Sequence, residues 1–197
     1  MFISTHAYSA QVLGQRVSET LPKFMQDLQH LRHLQAAWAN HKITHRTAQL
    51  LALAERIEAN KPELAAAVCM EVGRCLRECE AEIDKTVDLI RYYAKLAPGL
   101  LDSKTITTQA SLSQVRFEPL GVVLAVMPWN YPVWQIMRFA VPALCAGNAC
   151  LVKPAPSVAQ VTAKLMALVD EAMPLHASYI EHDLIETAIE NADAMAF

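Results

Sequence analysis

From Leu21 to Pro98 the apolar residues return at every third or fourth position, as one buried face of a helix requires; Leu50, Leu51, Leu53, Ala54 and Ile57 form one such series. Lys61-Pro62-Glu63 separates this helix from the next, in which Leu64, Ala67, Val68, Val72 and Leu76 keep the period, although Gly73 weakens it. Ile83, Val87, Ile90 and Tyr93 then lead to a stop signal at Pro98-Gly99. The pattern predicts that residues 1–103 are a mostly helical amino-terminal segment.

At Lys104 the texture changes. Thr105, Ile106, Thr107, Thr108, Leu112, Val115 and Phe117 bring β-branched and aromatic residues in near alternation, which predicts a hairpin or edge strand over residues 104–118. Val122-Val123-Leu124-Ala125-Val126 and Ala149-Cys150-Leu151-Val152 have no polar face, the mark of parallel strands covered on both sides. Between them Pro132 can open a helix and Gly147-Asn148 can end it. Ser157 can cap a further helix reaching Glu171. The order predicts an α/β fold: amino-terminal helices, a hairpin, then over 119–197 the first part of a doubly wound, Rossmann-like parallel sheet.

Composition narrows the setting. In 197 residues, 53% are hydrophobic and 19% charged, which allows a sizeable globular core. Seventeen Lys and Arg face 20 Asp and Glu, a formal charge of -3, so there is no basic field to gather nucleic acid. The longest apolar run, Gly121 to Trp129, is broken by Pro128 and is too short for a membrane helix. Met1 to Gly14 lacks the cationic head of a secretory signal, and five Cys without a Cys-x-x-Cys pair fit reduced thiols; a cytoplasmic location is expected.

In doubly wound sheets ligands bind beyond the carboxyl ends of the strands, which here are Met127-Pro128-Trp129-Asn130-Tyr131-Pro132 and Lys153-Pro154-Ala155-Pro156-Ser157. The Asn130 amide could donate to an oxygen that gains charge in a reaction, or serve only as a turn residue and helix cap. Lys153 could bond a ribose or phosphate, or be a solvated surface amine. Cys75 and Cys79 with Cys69, and the pairs His30/His33 and His41/His45, lack metal-site spacing, and no metal is expected.

Four stretches in order, Glu118-Pro119-Leu120-Gly121-Val122-Val123, Met127-Pro128-Trp129-Asn130-Tyr131-Pro132, Pro142-Ala143-Leu144-Cys145-Ala146-Gly147-Asn148 and Leu151-Val152-Lys153-Pro154-Ala155-Pro156-Ser157, resemble the aldehyde dehydrogenase superfamily. The resemblance reaches back through Arg46 to Leu53 and Glu71-Val72-Gly73, forward to about Phe197, and is strongest to the bacterial succinate-semialdehyde dehydrogenases. It implies an NAD(P)+-dependent oxidoreductase acting on a small aldehyde, succinic semialdehyde in particular. Asn130 matches the oxyanion-hole asparagine. Met127, Pro128 and Trp129 match the stretch along the cofactor, with Lys153 and Ser157 in the loop that meets the adenosine ribose. Arg138 falls where such enzymes hold the substrate's distal carboxylate; a guanidinium suits that task two turns along the helix, although a structural ion pair is the alternative.

The family's nucleophilic cysteine and its glutamate lie beyond the matched region, and members are more than twice this length, so the resemblance implies an amino-terminal portion. None of Cys69, Cys75, Cys79, Cys145 or Cys150 stands in the nucleophile's motif. Many NAD-preferring members carry a glutamate three positions after the lysine, where this chain has Pro156, which leaves NAD or NADP open. The 104–118 segment resembles the strands through which members pair subunits, which implies a homo-oligomer for the complete protein. The competing reading is a non-catalytic nucleotide-binding or oligomer-forming module.

Overall fold

The computed structural model describes residues 1–196; Phe197, the last residue of the resemblance, lies outside the described residues. An antiparallel hairpin opens the chain, β1 (Phe2–Thr5) with β2 (Val12–Arg16), so the first part of the 1–103 segment expected to be mostly helical is instead a pair of strands. Four helices follow: α1 (Leu21–Asn40), α2 (Ile43–Ala59), α3 (Lys61–Val72) and α4 (Leu76–Leu100). Gly73 does more than weaken the pattern. It closes α3 with a left-handed φ of +82°, a conformation that costs glycine little, so the run from Pro62 to Leu76 divides into two helices. The stop expected at Pro98-Gly99 falls within a residue of the observed end: Pro98 lies in the last turn of α4, where it removes one backbone donor, and the helix ends at Leu100.

A short hairpin, β3 (Lys104–Thr105) with β4 (Gln114–Val115), then leads to the sheet. Strand β5 (Val122–Val126), helix α5 (Pro132–Cys145), strand β6 (Ala149–Lys153), helix α6 (Ala159–Met166), strand β7 (Leu175–Ala177), helix α7 (Ile185–Asn191) and strand β8 (Ala194–Ala196) alternate. The four strands are parallel in the order β7-β6-β5-β8. The chain steps outward from β5 to β6 to β7 and then crosses back past β5 to β8. Strand order therefore reverses between β5 and β8, as a doubly wound fold requires.

The two apolar strands are covered on both faces, as their lack of a polar side implied. Val122, Leu124, Ala149 and Leu151 pack on Phe24, Leu28 and Leu31 of α1 and Ala188 of α7. Ala125, Cys150 and Val152 face the larger core, which α2 to α6 build from residues such as Leu50, Leu53, Val68, Ile83, Ile136 and Leu144. Gly147, at φ +90°, turns the chain from α5 into β6 beside the α1 backbone at Ala39. Asn148 beside it accepts from the amides of Leu120 at 2.6 Å and Gly121 at 3.2 Å, pinning the entry to β5.

The proposed Ser157 cap is not formed. Ser157 lies in a 3-10 turn (Pro156–Val158) that precedes α6, and the helix ends at Met166 rather than near Glu171. The first amides of α6 turn instead to Glu71 of α3, whose two oxygens accept from Gln160 at 3.1 Å and Val161 at 2.8 Å. Burial pushes the Glu71 carboxyl above its ordinary range, while the hydrogen bonds from these two amides pull it back. Replacing Glu71 with Ala strands both amides in the core, and urea unfolding should show a loss of about 3 kcal/mol. A loss under about 1 kcal/mol would mean that water reaches this helix end.

Candidate functional site

The carboxyl ends of β5 and β6 are locked together: the Met127 amide donates to the Lys153 carbonyl at 2.9 Å. This join lies beside the reversal between β5 and β8, the place where an open α/β sheet leaves a crevice. Met127 is buried, while Pro128, Trp129, Asn130 and Tyr131 stand exposed above the strand end. Proline on both sides of the Trp-Asn-Tyr triplet restricts its backbone.

The Asn130 side chain is exposed and makes no hydrogen bond among the described residues. The helix-cap alternative therefore fails: α5 starts with Tyr131 as its cap residue and no side chain bonded there. The α5 amides are met from a distance. Glu82 of α4, buried at 3% exposure, accepts from Val133 at 2.9 Å and Trp134 at 3.0 Å through one oxygen. Its other oxygen pairs with Arg74, whose guanidinium lies 4.1 Å from the centre of the Tyr131 ring. Neither Glu82 nor Arg74 carried a sequence signal, because each acts across a helix-helix packing that spacing cannot reveal.

Lys153 is not the solvated amine its residue type favours. It is 3% exposed at the end of β6 and forms no ion pair among the described residues. Its ammonium stands 5.7 Å from the centre of the Phe2 ring, supplied by the amino-terminal hairpin. Burial lowers its pKa, and the charge of Glu181 opposes that shift. Arg138 is exposed on α5, one helical turn beyond Trp134, and among the described residues it forms no ion pair, so the structural alternative has no partner. Ser157 is exposed in the loop after Lys153.

The thiols are placed for packing. Cys79, Cys145 and Cys150 are buried, and desolvation raises the first two to about 11 and Cys150 further. Away from these strand ends, Glu19, Asp27 and His176 bring one ligand atom each within 4.8 Å of one another, beside a cavity of about 550 Å³. Lys23 already pairs with Asp27 there, so a resident ammonium meets the acidic charge. Among the described residues no helix is long and apolar enough to cross a membrane.

Comparison with known proteins agrees with this architecture. Residues 5–179 match the model of the aldehyde dehydrogenase family, and the chain belongs to that family. A succinate semialdehyde dehydrogenase using NAD(P)+ from Escherichia coli is 32% identical over 160 residues, 79% of this chain and 35% of its own length. An NADP+ succinate-semialdehyde dehydrogenase from Mycobacterium avium is 42% identical over 128 residues, 64% of this chain and 25% of its own. The crystal structure of succinic semialdehyde dehydrogenase from Streptococcus pyogenes with NADP+ superposes with a TM-score of 0.89 at 25% identity, over 96% of this chain and 43% of that one. The chain thus spans between a quarter and about a third of the length of the curated relatives it matches.

Two measurements probe this site. Because the folded pKa of Lys153 is depressed, the native state binds fewer protons than the unfolded chain, and the lysine's destabilising effect fades as pH rises toward 10.5. Lys153→Met should therefore raise the thermal midpoint at neutral pH by the equivalent of about 1 kcal/mol, with the gain shrinking at alkaline pH. A gain that is constant with pH would assign the effect to packing alone. Titration with a thiol reagent at mildly alkaline pH should modify exposed Cys75 first and half-buried Cys69 more slowly, with Cys79, Cys145 and Cys150 reacting only on unfolding. Fast reaction at Cys145 or Cys150 would contradict their burial.

Proposed function

We propose that this chain forms the oxyanion and ribose-binding part of an NAD(P)+-dependent aldehyde dehydrogenase that oxidises succinic semialdehyde to succinate. The observation that carries the reading is Lys153: a buried, unpaired ammonium at a strand end, beside the Met127 to Tyr131 loop at the reversal of the sheet. A lysine stripped of water and left without a carboxylate suits a ligand rich in hydroxyl or phosphate oxygens.

In this reading Lys153 would hold the adenosine ribose, and the backbone of Met127, Pro128 and Trp129 would run alongside the dinucleotide, with Ser157 beside the ribose. NAD(P)+ held there would supply the hydride acceptor for the oxidation. The Asn130 amide, exposed and free of other bonds, donates to the carbonyl oxygen as it gains negative charge. Arg138 pairs with the distal carboxylate of the substrate and fixes its direction. The nucleophilic thiol and the glutamate that activates water come from the part of the family's length that this chain does not span. Pro156 stands where an acidic residue would repel a 2′-phosphate, so NADP+ is admitted as well as NAD+.

The β3–β4 hairpin exposes Ile106, Leu112, Val115 and Phe117, an apolar set that suits pairing with a second copy in the complete enzyme. The same residues serve the alternative reading of a non-catalytic module, so activity must separate the two.

The test is a chimera in which this chain replaces the matching stretch of the Escherichia coli relative. It should oxidise succinic semialdehyde with NADP+. Asn130→Ala should lower kcat on the order of 10²–10³-fold. Arg138→Ala should raise KM for succinic semialdehyde on the order of 10-fold to 100-fold and leave an aldehyde without a carboxylate unaffected. A folded chimera with no turnover would support the module reading, and an unchanged kcat in Asn130→Ala would remove Asn130 from the mechanism.

A further inference from the structure

A helix whose first turn lies in a packed interior must find acceptors for its leading amides, and the nearest side chains usually supply them. For α5 the nearest polar side chain is Asn130, one residue before the cap position, and asparagine is among the residues that fill this role best. Yet Asn130 does not turn back. The Val133 and Trp134 amides are already taken by one oxygen of Glu82, which reaches them from α4, 51 and 52 residues away in sequence.

We infer that Glu82, seated by Arg74, is the positioning residue that keeps the Asn130 amide free and pointing outward. The inference deepens the proposed function and rests on Asn130 as the oxyanion donor. Two contacts from one ion pair hold the chain immediately after the residue. Glu82 holds positions 133 and 134 through their backbone, and Arg74 holds position 131 through its face on the Tyr131 ring at 4.1 Å. Pro128 and Pro132 limit the torsions of this loop but cannot fix where it sits; the ion pair does that. The side chain of Glu82 is fully buried, and that of Arg74 is 15% exposed, so both contacts operate where water competes weakly.

The division of oxygens matters. One carboxylate oxygen serves both amides and the other serves Arg74, so a glutamine at position 82 can keep the amides while losing the guanidinium. An alanine loses both. With the amides released, the carboxamide oxygen of Asn130 can turn to accept from them, which carries its NH2 donor away from the oxyanion.

The experiment is solution NMR on the isotope-labelled chain, comparing wild type with Glu82→Gln, Glu82→Ala and Arg74→Met. In Glu82→Ala the Val133 and Trp134 amides should exchange with solvent about tenfold faster or more. The Asn130 side-chain amide resonances should move and gain cross-relaxation to those two amides. In Glu82→Gln exchange should stay near wild type and the Asn130 resonances should show no contact with the helix. A merely structural role for Glu82 would lower the thermal midpoint without moving Asn130, so a folded Glu82→Ala protein with unmoved Asn130 resonances overturns the inference. Should Glu82→Ala fail to fold, Arg74→Met decides: Tyr131 and Asn130 resonances should shift while Val133 and Trp134 stay protected, and unmoved Asn130 resonances overturn it. Failure of these measurements is separate from failure of the Asn130→Ala test on the chimera, which reads turnover and not the loop.

Discussion

The leading amides of α5 and α6 lie against packed helices, and the structure hangs on how they are satisfied. A buried N–H without an acceptor costs on the order of 1–3 kcal/mol, a large share of a domain's net stability. Neither helix has a side-chain cap of its own. Glu82 from α4 and Glu71 from α3 cross the interface and serve two amides each. The helical first half of the chain is thereby bonded to the sheet half at the two points where the strand-end loops turn into helices. Apolar packing alone would leave the layers free to slide; directional bonds between a carboxylate and a helix start do not.

That coupling places the candidate site. Asn130 lies in the loop after β5 and Lys153 ends β6 just before the next loop, and each loop feeds a helix whose first turn is held from α3 or α4. The reversal of strand order between β5 and β8 lies beside the first of these loops, and the hairpin β1–β2 supplies the Phe2 ring beside Lys153. Elements from the whole length of the chain thus converge on two loops of a few residues. Two leading amides at each of these helix starts are already taken by a carboxylate, so neither start is the open anion site that a helix N-terminus otherwise offers.

Much of the fold was legible because its cause is local. Two-sided burial writes itself as unbroken apolar runs at Val122–Val126 and Ala149–Val152, and Pro132 with Gly147 brackets α5 by backbone chemistry alone. What was not legible acts at a distance. Ser157 has the right type to cap α6, but the amides belong to Glu71, 89 and 90 residues away. The β7 and β8 strands are three residues each, too short for a period to show. The hairpin at Phe2–Thr5 does alternate buried and exposed, yet four residues of alternation weigh little until the partner strand is known.

The candidate site shows the same split between type and environment. Residue type alone singled out Asn130, Arg138 and Lys153 as chemistry worth weighing, but left each with a bland alternative that only surroundings could remove. For Asn130 the cap alternative falls because Glu82 has taken the amides; for Arg138 the ion-pair alternative finds no support because it pairs with no carboxylate among the described residues. Lys153 is the most telling, since burial turns a common surface residue into a costly one. A fold that keeps an ammonium dry beside an aromatic ring, with its pKa depressed, has set aside stability that a ligand's oxygens can return on binding. In the role proposed for Lys153, the same desolvation that weakens the empty protein would strengthen each hydrogen bond from the lysine to a ligand, so stability and binding would be opposed at this one residue.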